Sequence, residues 1–136
     1  MRALVTGAGS GIGAAIAERL AADGHMVAVN DLSLSSAQHT VDRIMSNGGT
    51  ARAYAADVSD EAAVTAMVAA IARDLGPVDI LVNNAGFVHQ ARFTDITPDQ
   101  FYRMFAVHVR GAYLCTRACL PAMLAQGSGH IVNIAS

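Results

Sequence analysis

Lysine and tryptophan are missing from this 136-residue chain, charged residues make up only 15% of it, and no block of arginine replaces the absent lysine. With a formal charge of −2, it offers no electrostatic footprint for nucleic acid and no basic patch for an anionic membrane. Long apolar runs are missing too. None reaches the roughly 20 residues that a membrane-spanning helix needs, and the first strand begins at Arg2 or Ala3, which leaves no room for a targeting peptide. A cytoplasmic protein is the expectation. Cysteine is scarce: Cys115 and Cys119 lie four apart in a helical pattern, where a disulfide would strain the helix and two ligands would leave a metal site incomplete. Both are read as small packing residues, and free thiols agree with a reducing compartment. The five histidines, His25, His39, His89, His108 and His130, are scattered without metal-ligand spacing.

What is present is apolar and small. Hydrophobic residues supply 53% of the chain, alanine prominent among them, which suits closely packed helices on a buried sheet and argues against disorder. One compact core is expected, in a single domain over residues 1–136.

The chain is organised around Leu4-Val5-Thr6-Gly7-Ala8-Gly9-Ser10-Gly11-Ile12-Gly13. Ala3, Leu4 and Val5 make a short buried strand, and the glycines that follow admit positive φ or the close approach of a ligand. From Ile12 the pattern turns helical, with Ile12, Ile16 and Leu20 on one face. A helix opening out of a glycine turn presents unpaired N–H groups and the positive end of its dipole, a setting for a pyrophosphate. A second apolar strand, Met26 to Val29, leads to Asp31, which lies 18 residues after Gly13. That is near the spacing at which a carboxylate meets the ribose hydroxyls of a dinucleotide. No Arg or Lys stands in Gly7 to Gly13 or Asp31 to Ser36 to receive a 2′-phosphate, so NAD(H) is expected over NADP(H).

Strand and helix then alternate. Ser33 can cap a helix over Leu34 to Ser46 with Ala37, Val41 and Ile44 inward, stopped by Asn47-Gly48-Gly49. A third strand follows at Ala51 to Ala55, then a helix with Ser59 as N-cap and Val64, Met67, Val68 and Ile71 as its apolar face. The dense strand Val78 to Val82 runs into Asn83-Asn84-Ala85-Gly86, a polar turn where a parallel strand reaches its carboxyl end, the usual side for a ligand. Phe87 to Ile96 reads as loop. Thr97-Pro98-Asp99-Gln100 has the form of a capping box, and Phe101, Phe105, Val109, Tyr113 and Thr116 trace an apolar stripe continuing to Leu120 and Leu124. Pro121 predicts a bend or break near Arg117 to Leu120. His130 to Ala135 is a fifth strand. The class is α/β, a doubly wound parallel sheet of order 3-2-1-4-5 with helices on both faces.

These residues resemble the short-chain dehydrogenase/reductase family over the whole length. Thr6-Gly7-Ala8-Gly9-Ser10-Gly11-Ile12-Gly13 is similar to its Thr-Gly-x-x-x-Gly-x-Gly motif, and Asn83-Asn84-Ala85-Gly86 to its Asn-Asn-Ala-Gly motif. The resemblance implies a three-layer Rossmann-type fold that stops at the family's catalytic serine, here Ser136. It implies NAD-dependent interconversion of an alcohol and a ketone or aldehyde, and a homo-oligomeric parent. The cofactor positions it carries over are Gly7, Ser10, Gly11, Ile12, Gly13, Asp31, Leu32, Asp57, Val58, Asn84, Ala85 and Gly86, with Asp57-Val58 at the adenine. His108 stands where the family has an asparagine that supports a proton relay, so it is read either as a relay group or as a packing residue. The family's Tyr-x-x-x-Lys pair has no counterpart, since Tyr54, Tyr102 and Tyr113 lack a lysine four residues on. Two functions are therefore expected: an oxidoreductase acting on a small-molecule alcohol or carbonyl, or a truncated, catalytically silent dinucleotide-binding module or association-dependent fragment. Phe87, Val88, His89, Gln90 and Phe93 either line part of a substrate pocket or pack as surface loop.

Overall fold

A computed structural model describes residues 1–135. The apolar runs form five strands, β1 (Arg2–Val5), β2 (Met26–Asp31), β3 (Thr50–Ala55), β4 (Ile80–Asn83) and β5 (His130–Asn133). Between them lie the helices α1 (Gly11–Ala22), α2 (Leu34–Ser46), α3 (Glu61–Asp74), α4 (Pro98–Phe105) and α5 (Gly111–Gln126). All neighbouring strands are parallel, in the order β3-β2-β1-β4-β5 read from the sequence. Successive strand residues point to opposite faces, so the sheet is covered twice. Val5, Val27 and Val29 pack with Ala17, Val41 and Ile44 beneath α1 and α2. Leu4, Ala28 and Leu81 pack with Val64, Ile71 and Cys115 beneath α3 and α5.

Local chemistry sets the helix ends. Ser33 Oγ accepts the Ser36 N–H at 3.4 Å, and Thr97 with Gln100 forms the full reciprocal capping box. Gly127 ends α5 at φ +70°, a left-handed conformation that glycine adopts without strain. One cap differs from expectation: Asp60, not Ser59, accepts the Ala63 N–H at the start of α3. Ser59 is engaged elsewhere, by Asp57 and Arg103.

α2 and α3 bury the apolar faces read from the sequence, among them Val41, Ile44, Val64, Met67 and Ile71, whereas α1 and α5 depart from theirs. α1 turns Gly13, Ala14, Ala17 and Ala21 to the sheet; of the face read from the sequence, Ile16 and Leu20 are partly buried against the core and Ile12 is 67% exposed. The stripe read from Phe101 onward also lies outward: Phe105 is 53% and Tyr113 59% exposed, and the buried side of α5 is Gly111, Leu114, Cys115, Cys119 and Met123. Narrow side chains bring the helix axis close to the sheet, whereas an aromatic ring there would hold it off. No break falls near Arg117 to Leu120, because α5 runs through Pro121. The irregularity is a π-helical turn over Ala106–Arg110, which joins α4 to α5 in one rod.

Among the described residues β5 pairs with β4 alone, and Ile131, Val132 and Ile134 around it are 37% to 45% exposed. An open apolar strand edge beside an exposed aromatic stripe favours self-association. Light scattering of the 136-residue chain is expected to give species larger than a monomer at micromolar concentration; a monodisperse monomer would count against it.

Candidate functional site

In the order β3-β2-β1-β4-β5, strand direction of winding reverses between β1 and β4, and such a switch point opens a crevice at the carboxyl ends of the strands. The glycine turn after β1 and the Asn83-Gly86 turn after β4 meet there. Thr6 is buried, and its Oγ1 accepts the N–H groups of Asn84 and Ala85, each at 3.0 Å. Asn84 Nδ2 donates back to the carbonyls of Thr6 (2.9 Å) and Gly7 (3.2 Å). The two turns approach so closely that a Cβ on Gly7 would lie 2.7 Å from Ala85 Cα. Thus Asn84 spends its amide on bracing the glycine loop, and Gly13 leaves the space that this amide fills.

Ser10 caps α1 without a side-chain hydrogen bond, and the first helical bond is from Ala14 N–H to the Ser10 carbonyl. The N–H groups at Gly11 and Ile12 thereby sit at an open helix start. Gly11 has φ +55°, and an added Cβ there would meet nothing within 4 Å. A positive-φ glycine facing empty space at a helix start is a cradle that suits a phosphate.

Asp31 ends β2 beside this cradle. Its Oδ2 accepts the Gly9 N–H at 3.0 Å and its Oδ1 the Ser33 N–H at 3.1 Å. Each oxygen keeps room for a further donor, and Asp31 makes no ion pair among the described residues. Asn30, fully buried beneath it, pins the end of β2 to β3 by donating to the carbonyls of Tyr54 and Ala56, both at 3.2 Å. Next in the row comes Asp57. Burial pushes its carboxyl up, but hydrogen bonds from the Ser59 hydroxyl and N–H and from Arg103 outweigh that and hold it below its ordinary range.

One cleft of about 290 Å3 gathers Gly7, Asp31, Leu32, Asp57, Val58 and Gly86, residues up to 79 positions apart in sequence. Ala85 lines it as well, and Ser10, Gly11, Ile12 and Gly13 stand outside at the start of α1. Arg103 also lines the cleft and escaped the sequence reading. Nothing local marks it, because its partner Asp57 is 46 residues away.

His108 lies in the π-helical turn, with its ring over Gly86 and its Nε2 facing the Phe87 N–H (3.1 Å) and carbonyl (2.8 Å). A Cβ at Gly86 would fall 2.7 Å from His108 Nδ1. The imidazole therefore packs on the Asn-Asn-Ala-Gly turn and braces the segment that follows it. Ser136 lies outside the described residues. Burial pushes the Cys115 and Cys119 thiols up to about 12, which makes them inert packing groups. Among the described residues no cluster of His, Cys, Asp and Glu fits a metal ion, and no helix is long and apolar enough to cross a membrane.

Known proteins share this arrangement. The oxidoreductase YxbG of Bacillus subtilis is 41% identical over 98% of this chain and 49% of its own length. The 2-(R)-hydroxypropyl-CoM dehydrogenase of Xanthobacter autotrophicus is 46% identical over 98% of this chain and 55% of its own. The chain thus spans about half the length of these relatives. A metagenomic short-chain oxidoreductase crystallised with NADP superposes with a TM-score of 0.94 at 36% identity, covering 100% of this chain and 62% of that one. A family model described as short chain dehydrogenase matches residues 1–136; with the strand order and both turn motifs in place, the chain belongs to the short-chain dehydrogenase family.

Proposed function

We propose that these residues form a single dinucleotide-binding domain of a cytoplasmic oxidoreductase that interconverts an alcohol and a ketone or aldehyde, with NAD(H) as its preferred cofactor. Bound there, the nicotinamide ring supplies hydride transfer. The chain's own residues bind and orient: the start of α1 receives the pyrophosphate, Asp31 accepts from the ribose hydroxyls, Leu32 and Val58 flank the adenine, and Ala85 and Gly86 border the nicotinamide side. Ser136 would orient the substrate oxygen. No tyrosine of residues 1–136 is assigned the acid–base step, since Tyr54, Tyr102 and Tyr113 have no lysine four residues on. Tyr54, for one, donates to Asp74 and is pushed up to about 12, first by burial and then by that carboxylate. His108 is assigned to bracing rather than to the proton relay. In the parent, the exposed stripe of α4 and α5 would serve subunit association.

The observation that carries the cofactor preference is the Asp31 carboxylate, held at the cleft by two backbone N–H groups and free of any cation partner among the described residues. A 2′-phosphate would be repelled there. Among the described residues Arg103 is the one cation that lines the cleft, but its guanidinium is taken up by Asp57 and Ser59. The NADP in the metagenomic structure is that protein's own ligand. Calorimetric titration is expected to show NADH bound at least about tenfold more tightly than NADPH, the size of one charge-assisted hydrogen bond, with Asp31→Ala reducing the difference. Tighter NADPH binding by the wild type, or an unchanged preference in Asp31→Ala, would overturn the assignment.

A further inference from the structure

Arg103 reaches from α4 to the turn between β3 and α3, where Nη2 donates to Asp57 Oδ2 and Nη1 to Ser59 Oγ, both at 3.0 Å. The Ser59 hydroxyl donates in turn to Asp57 Oδ1 at 2.6 Å, and the same oxygen accepts the Ser59 N–H at 2.9 Å. Three residues close a ring around one carboxylate. Oδ1 takes two donors and Oδ2 takes one, so Oδ2 keeps an acceptor position. Further along the same rod, Arg110 Nη1 donates to the Ser59 carbonyl at 2.6 Å. Gly111 admits Val58, whose Cγ2 would lie 2.7 Å from an added Cβ. The 57–59 turn is thus held from outside, by the rod of α4 and α5.

Asp57 and Arg103 border the cleft together with the apolar Leu32 and Val58. Two apolar walls and a carboxylate with a spare acceptor suit a flat heteroaromatic base that carries an exocyclic amine. We propose that Arg103 is a positioning residue for base recognition: by bridging Asp57 and Ser59 it orients the carboxylate that reads the amino group of adenine. The inference rests on the dinucleotide reading above. Arginine is suited to it because a planar guanidinium spans two acceptors at once, whereas an ammonium is a point charge without that fork.

The test compares NADH with its hypoxanthine analogue, in which a carbonyl replaces the amino group, by calorimetry on the 136-residue chain. The wild type is expected to prefer NADH about tenfold, the scale of a hydrogen bond to a charged acceptor. Arg103→Gln is expected to bring the two cofactors within about twofold of each other by weakening NADH, leaving the analogue nearly unchanged. Arg103→Lys restores the preference only in part. A purely structural role would weaken both cofactors alike and leave their ratio intact. Should Arg103→Gln fold poorly, Ser59→Ala opens the same ring without removing a charge and is expected to narrow the ratio as well. A wild-type ratio near one, or a ratio unmoved in the folded variants while Gly11→Val still abolishes binding, overturns the role of Arg103 alone. Failure of the wild type to bind either cofactor overturns the dinucleotide reading with it.

Discussion

Gly13→Val is expected to abolish dinucleotide binding, a loss of roughly 100-fold or more, and to lower thermal stability in the same variant. A Cβ at this position would collide with the Asn84 amide and the Gly7 carbonyl and lie 2.9 Å from Ala8 Cα. Two of those neighbours are backbone, which cannot rotate away as a flexible side chain would. The displaced Asn84 amide would also release the carbonyls of Thr6 and Gly7, so the glycine loop and the Asn-Asn-Ala-Gly turn would separate. Overpacking of this kind costs about 1–3 kcal/mol. Gly11→Val supplies the contrast. Space around Gly11 is open, but its φ of +55° disfavours a branched side chain by about 1–2 kcal/mol, and that side chain would stand where a phosphate approaches. Both variants should lose binding, Gly13→Val through collision and Gly11→Val through obstruction and strain. Calorimetry with thermal melts separates the two routes; wild-type affinity in both variants would remove the glycine loop from the site.

The second large effect lies at the opposite end of the sheet. Arg2 donates from Nε and Nη2 to the two oxygens of Asp79 at 2.7 and 2.9 Å, and its backbone N–H adds a third bond at 2.7 Å. Asp79 is 12% exposed and Arg2 29% by side chain. Arg2→Ala strands a nearly buried carboxylate beside the core and is expected to cost about 2–4 kcal/mol, somewhat less than breaking a fully buried pair. The Arg2 guanidinium holds the Asp79 carboxyl below its ordinary range against the opposing push of burial. A carboxyl with a lowered folded-state pKa contributes stability in full above its unfolded value of about 3.9 and loses it as pH falls through the folded value. Wild type and Arg2→Ala should therefore differ most at neutral pH and converge below about pH 4. Urea unfolding near neutrality and at acid pH measures this directly. A difference that grows toward acid, or none at neutrality, would exclude the pair as a stabilising element.

The strands and most helix ends could be read from the chain itself because they follow from short-range rules, and the parallel order because helical crossovers join parallel neighbours. Period-two burial, the Ser33 cap, the Thr97-Gln100 box and the glycine stops act between residues that are close in sequence. The two turn motifs were legible for the same reason, as was Asp31 from its spacing after Gly13. The faces of α1 and α5 were not. Periodicity counts large apolar residues and so selected Ile12 and Tyr113, which are exposed, and Ile16 and Leu20, which are only partly buried, yet the sheet took Gly13, Ala17, Gly111 and Cys115. Helix-to-sheet distance, which only packing in three dimensions sets, decides which side of an alanine-rich helix is buried. Tertiary structure also decided the use of the polar side chains. Asn84 braces a carbonyl 77 residues away, His108 packs on a turn 21 residues before it, and Arg103 holds an acid 46 residues before it. Directional bonds between distant residues leave no local signature in sequence, so sequence located the two turns of the cleft, and the fold alone supplied the groups that hold them.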